Sequence, residues 1–193
     1  MIGVDDPGRR MQVERLVTAH GPDVESLCRA CLTGLAGISG VGVTVMTPDT
    51  QQVRYASDAI SARVEQLQFL LGEGPCRDAY ATVGPILAED LREPVWHEHW
   101  PAFAPAAMLA GAGAVFALPL NVGDTRVGVM DLYRDTAGGM TDGTLADALI
   151  LADAVTELLL AETLAHGDDD NSMLSDSRGS TCCRGQPCTR PPA

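Results

Sequence analysis

Hydrophobic positions recur along this chain with two alternating periods, from Met11 to about His166. Met11, Val13, Leu16 and Val17 begin a helical stripe that Gly21-Pro22 interrupts. Pro22 suits the first turn of a second helix, carried on by Val24, Leu27, Cys28, Cys31, Leu32 and Leu35 at three- and four-residue spacing and closed by Gly37 and Gly40. Residues 40–47 alternate Val41, Val43 and Val45, which is a strand. Residues 48–51 make a turn, and 52–57 return as a second strand. Asp58 opens a helix with Ile60, Val64, Leu67 and Leu71 on one face, and the turn Gly72-Glu73-Gly74-Pro75 ends it. Pro75 then starts a short helix to Thr82, with Asp78 placed well for the helix dipole. Residues 85–88 form a short strand, and Trp96 to about Leu109 is expected as one helix. Two strands follow, 114–120 and 126–133, with a turn over 122–125. The last helix spans about 142–165, its stripe being Leu145, Ala148, Leu149, Ala152, Val155, Leu158 and Leu159.

This order predicts an α+β fold, a mostly antiparallel sheet of five or six strands flanked by helices. The two terminal helices carry more apolar surface than one sheet face covers, so a helical dimer interface is expected there. After His166 the composition turns to Gly, Ser, Asp, Arg and Pro. The expected division is a disordered lead over 1–10, a folded domain over 11–166 and a disordered tail over 167–193, too polar to offset its ordering entropy.

Charge narrows the partners. The 193 residues carry 26 acidic and 13 basic side chains, a net charge of −13, and every basic residue is Arg. Residues 1–166 hold 22 acids against 10 bases, so the acidity belongs to the folded part. Such a surface repels phosphate backbones, and direct nucleic-acid binding is not expected. No basic cluster suits anionic lipid. The uncharged stretch 101–123 reaches membrane-spanning length, but Pro101, Pro105, Pro119, Gly111 and Gly113 interrupt it. A helix and a buried strand explain it better. The start is acidic and has no apolar core, so no signal peptide is read and a cytoplasmic location is expected.

Three segments together carry a family resemblance: residues 69–91 (FLLGEGPCRDAYATVGPILAEDL), residues 100–120 (WPAFAPAAMLAGAGAVFALPL), and RVGVMDLYRD at 126–135 followed by LADALILADAVTELLL. In this order they resemble the GAF sensor domain, and more narrowly the GAF domains that precede ANTAR RNA-binding domains in antitermination regulators of high-GC bacteria. The resemblance covers about 11–165. It implies a small-molecule cavity, ligand unknown, whose state is passed on through a dimer of terminal helices. No ANTAR-like bundle is legible in 167–193, so the expectation is either a GAF-only relative or loss of the output domain. A homodimer, or a heterodimer with a full-length relative, would then carry the output.

The candidate ligand-pocket residues are Cys76, Tyr80, Trp96, Trp100, Phe103, Met108 and Asp131. Cys76 stands at a helix start beside Arg77, where unpaired N–H groups and the dipole would lower its pKa. The alternative is a small buried residue packing the turn. Cys28 and Cys31 have redox or metal spacing but fall on an apolar helix face, which favours packing. The tail holds Cys182, Cys183 and Cys188 without His. Trp96 and Trp100 share a face in a helix, whereas His97 and His99 point apart, so no metal clamp and no metal are expected. Asp131 lies opposite Met130 and Leu132, facing either solvent or the cavity.

No dinucleotide fingerprint, P-loop, zincin or nucleophile-elbow motif is present, and no catalytic residue is assigned. The leading expectation is a non-catalytic sensor. The alternatives are a thiol redox enzyme or sensor resembling free methionine-(R)-sulfoxide reductase, and a degenerate truncated regulator. The enzyme reading needs a resolving thiol, and none occurs between Arg77 and Thr181.

Overall fold

The computed structural model describes residues 8, 11, 15, 18, 23–47 and 50–175, the last twelve of them as backbone. The first helical stripe, apart from Met11, and the tail cysteines lie outside the described residues. The chain divides into two compact units, Met1–Leu160 and Ala161–Ala193.

In the first unit the elements follow as α1 (Val24–Gly34), β1 (Gly40–Met46), β2 (Gln51–Ala56), α2 (Ala59–Leu71), α3 (Pro75–Thr82), β3 (Ile86–Ala88), α4 (Pro94–His99), α5 (Phe103–Ala110), β4 (Ala114–Val122) and β5 (Thr125–Arg134), with α6 beginning at Asp142. Five strands form one sheet in the order β2-β1-β5-β4-β3, every pair antiparallel. This is the expected α+β architecture.

The period of two along each strand sorts the two faces. Val41 and Val43 of β1, Phe116 and Leu118 of β4, and Met130 and Leu132 of β5 point to one side. They pack with Leu27, Cys28 and Cys31 of α1 and with Ala148, Leu151, Ala152 and Val155 of α6. The other side shows Gly40, Gly42 and Thr44 of β1 with Asp131 and Tyr133 of β5, and helices α2 to α5 cover it. The candidate site lies on this second side.

Local chemistry sets the helix ends. Asp58 caps α2: its Oδ1 accepts from the N–H groups of Ile60 and Ser61, while Ser61 Oγ accepts from the Asp58 N–H at 3.0 Å. Gly72 ends α2 in the left-handed conformation, φ 70°. Pro119 falls within β4 beyond the end of β3, where only the β5 side of the strand is paired.

Two expectations are corrected. The helix expected over 96–109 is two helices, broken at Trp100-Pro101-Ala102. Pro101 drives Trp100 out of helical geometry, to φ −126° and ψ 73°. The second helix has a cap from far away in sequence: Glu73 Oε1 accepts the N–H groups of Ala102 at 2.6 Å and Phe103 at 2.7 Å. The last helix, α6, runs Asp142–Ser175, past the expected end near 165 and into the segment read as tail. No proline interrupts 142–175, so nothing in the backbone chemistry stops it at His166. No described helix is long and apolar enough to cross a membrane.

Gly128 marks the tightest backbone approach in the sheet. A Cβ there would lie 2.1 Å from the Thr44 carbonyl oxygen of β1. Gly128→Ala is therefore expected to destabilise the fold by about 1–3 kcal/mol, as strand β5 shifts from β1. Chemical denaturation of the two proteins measures this; equal midpoints would contradict the register.

Candidate functional site

The site has a buried floor and an open cavity above it. The floor starts from α2, where Ser61, Glu65 and Gln68 form a polar stripe beside Val64 and Leu67, turned to the sheet. Glu65 fits because β1 offers Gly42: a Cβ at Gly42 would lie 2.2 Å from Glu65 Oε1. Thr44 Oγ1 donates to Glu65 Oε2 at 2.6 Å. Gln68 Nε2 donates to Asp131 Oδ2 at 2.9 Å, and Gln68 Oε1 accepts the Cys76 N–H at 2.7 Å. One amide thus joins strand β5 to the start of α3. Gly74, at φ 128°, lets the chain pass Gln68, since a Cβ there would lie 2.9 Å from Gln68 Oε1.

Both carboxyls are buried, and no N–H or hydroxyl donor reaches Glu65 Oε1 or Asp131 Oδ1. Burial pushes Asp131 up to about 6. Burial and the Asp131 charge together raise Glu65 well above the usual carboxylate range. Two such acids close together resist ionising at once, so the pair keeps a proton above the usual carboxylate range. A proton kept there can serve the oxygens that lack other donors.

Cys76 is fully buried, with Sγ 3.9 Å from Met46 Sδ. The expectation of a lowered pKa is overturned. Burial, then the nearby Asp131 and Glu65, push the thiol up, and Arg77 only partly opposes them. Its N–H is not free either, since Gln68 takes it. Ligand atoms of Glu65, Cys76 and Asp131 lie within 4.8 Å of one another. Burial raises all three groups, which favours their protonated, hydrogen-bonded forms over cation-binding ones. Cys28 and Cys31 are buried under the opposite sheet face, Cys28 raised and Cys31 pushed up to about 12 by burial, as their apolar-face position suggested.

The cavity, about 560 Å³, lies between α3, the β1–β2 connection, the end of α2 and the end of α4. Met46, Thr47, Thr50, Gln51, Phe69 and Tyr80 line it with Glu73, Arg77, Asp78, His99 and Trp100. Tyr80 is fixed by donating to the Met46 carbonyl at 3.3 Å, and Arg126 lies 5.8 Å over its ring. Asp78 Oδ2 meets His99 Nε2 at 2.6 Å and accepts from Trp100 Nε1 at 3.0 Å, joining α3 to α4.

Of the seven candidate residues, Tyr80 and Trp100 line this cavity. Cys76 and Asp131 lie in the floor, and Asp131 faces the interior rather than solvent. Trp96 stacks on Trp100 with centroids 4.8 Å apart, behind the rim. Phe103 is core, edge-on to Trp100 at 6.0 Å. Met108 belongs to a separate hollow with Arg92 and Gly111. Sequence reasoning missed Glu65, Gln68, Glu73, Gln51 and Phe69. The i, i+4, i+7 spacing of Ser61, Glu65 and Gln68 was the available signal for the floor.

An acid whose folded-state pKa is raised stabilises the fold while protonated. That stabilisation is whole below an unfolded value of ~4 and is lost as pH rises through about 6. Thermal stability is therefore expected to fall as pH rises from about 4 through about 6, and on above that as Glu65 titrates, and Glu65→Gln should flatten the fall and be the more stable protein at the upper end. Parallel melting curves for the two would refute the retained proton. Cys76 should resist a thiol reagent until the protein is unfolded. Mass mapping of labelled peptides checks this, and fast labelling of Cys76 in the native protein would show an open floor.

A family model described as the GAF domain matches residues 22–159. Solved structures with the same fold include a domain assigned to a two-component sensor histidine kinase of Sinorhizobium meliloti 1021, at TM-score 0.59 and 15% identity over 75% of this chain and 94% of that one. The GAF domain of a two-component sensor histidine kinase from Bacillus halodurans aligns at TM-score 0.54 and 10% identity, over 76% and 99%. Type II free methionine-R-sulfoxide reductase from Thermoplasma acidophilum aligns at TM-score 0.53 and 13% identity, over 79% and 94%. No curated protein matches the chain. Identities this low show the shared fold.

Proposed function

We propose a regulatory function for this chain, which belongs to the GAF domain family: it is a non-catalytic, cytoplasmic sensor that binds a small molecule in the α3 cavity and signals through its terminal helices as a dimer. The carrying observation is the cavity itself, with aromatic and charged side chains on its walls and Cys76, the only nearby thiol among the described residues, sealed beneath it. Solved neighbours from sensor kinases agree with this role. The relationship to antitermination regulators rests on the three sequence segments, and the signal would pass to an RNA-binding output on a partner chain.

The reductase-like structures share the fold, but the chemistry of that reading is poorly served here. A thiol pathway needs an accessible thiolate and a second sulfur close by. Cys76 is buried and protonated, and Cys28 and Cys31 lie across the sheet from it.

Binding at the cavity biases the domain by the difference in ligand contacts between its states. The cavity wall includes Gln51 and Met46, which pair across β2 and β1. The opposite side of β1 packs on α1 and α6. A change in how α3 sits against β1 and β2 thus reaches the helices through one layer of backbone.

Native mass spectrometry of the purified protein is expected to show a dimer retaining a small molecule. Tyr80→Ala should keep the dimer and release the molecule. A bare monomer from the parent protein under the same conditions would overturn the proposal.

A further inference from the structure

We infer that the cavity selects a small organic oxyanion, a carboxylate or phosphate carried on an aromatic or apolar body; this rests on the ligand-binding reading above. The polar groups on its walls differ in how fully they are used. The acids are occupied: Glu73 Oε1 takes two backbone N–H groups at the start of α5, and Asp78 Oδ2 takes His99 and Trp100. The donors are not. Arg77 is exposed, and its one side-chain hydrogen bond among the described residues is a long one, Nη1 to Gln51 Oε1 at 3.4 Å. That contact turns the Gln51 carbonyl oxygen to Arg77 and leaves Gln51 Nε2 buried without an acceptor.

A buried amide N–H with no acceptor is costly unless something supplies one. Gln51 Nε2 lies below the cavity surface, beside a guanidinium that is itself open to the cavity. That guanidinium presents two parallel N–H donors, which match the two oxygens of a carboxylate, or two of a phosphate, and charge-assisted bonds of this kind are the strong ones. Arg126, beyond Tyr80, adds a second positive charge nearby. The rest of the wall suits an apolar body. Phe69 is 55% exposed, and Tyr80, Trp100 and Met46 stand around it. This combination of a polar anchor and an aromatic wall fixes the orientation of a bound molecule.

Four probes of one shape separate the possibilities: benzoate, phenyl phosphate, benzamide and benzylamine, each followed by calorimetry and thermal shift on the full chain. Benzoate or phenyl phosphate should bind and raise the melting temperature, and whichever binds more tightly identifies the oxyanion. Arg77→Gln should weaken that binding by about tenfold, with unchanged circular dichroism. Equal binding of benzamide, or binding of benzylamine alone, overturns the inference. If no probe binds, the molecule retained in native mass spectrometry decides. An anion upholds the inference. A neutral or cationic molecule overturns it while the ligand-binding reading stands, and a protein bare of any ligand overturns both.

Discussion

The Glu65–Asp131 contact is the constraint around which the second face of the sheet is arranged. A buried carboxylate without partners costs several kcal/mol, so the pair exists only with its surroundings in place. Each surrounding group has a position that follows from this. Gly42 leaves room for the Glu65 carboxyl against β1, and Thr44 supplies a hydroxyl donor. Gln68 occupies the outer oxygen of Asp131 and, by its own carbonyl, holds the first turn of α3. The contact therefore ties together one helix, two strands and the start of a second helix. It also sets the character of Cys76, whose thiol lies against two acids and stays protonated.

The same arrangement explains why the proposed recognition falls to the cavity rather than to the floor. Groups in the floor satisfy one another, apart from a proton kept by the acid pair. Groups on the cavity wall are unevenly satisfied, with acids engaged and donors in reserve. Met46 separates the two layers: it lines the cavity and its sulfur touches Cys76 from above.

Much of the fold was legible because local rules suffice for it. The Val41, Val43, Val45 alternation assigned β1 and its apolar side, and Asp58 with the Gly72 turn bounded α2. Where the reading failed, the deciding partner was distant in the chain. The break at Trp100 needed Pro101, which was visible, but the restart at Phe103 depends on Glu73, twenty-nine and thirty positions upstream of the N–H groups it caps. Cys76 was judged by its helix start, a local effect, and burial against Asp131 outweighed it. Glu65 went unnoticed because an amphipathic template counts apolar residues, and a polar stripe beside them looks like solvated surface. For the candidate pocket, aromatic content singled out Tyr80 and Trp100, which line the cavity, yet could not tell them from Phe103, which fills core.

Placement of the two layers also limits how a signal can arise. The floor is tightly packed and fully bonded, so it resists small displacements, and α3 is anchored at its first turn by Gln68. The weaker attachments lie further along: Tyr80 to the Met46 carbonyl at 3.3 Å and Arg77 to Gln51 at 3.4 Å. An element fixed at one end and loosely held along one side pivots rather than translates. A molecule that engages Arg77 would change its hold on Gln51, and with it the seating of β2, an edge strand, against α3. Strand β2 has a single neighbour, β1, so the displacement has one route inward. That route ends on Val41 and Val43, which face α1 and α6. On the proposed reading, α1 and α6 are thus the first apolar surface to register what the cavity holds.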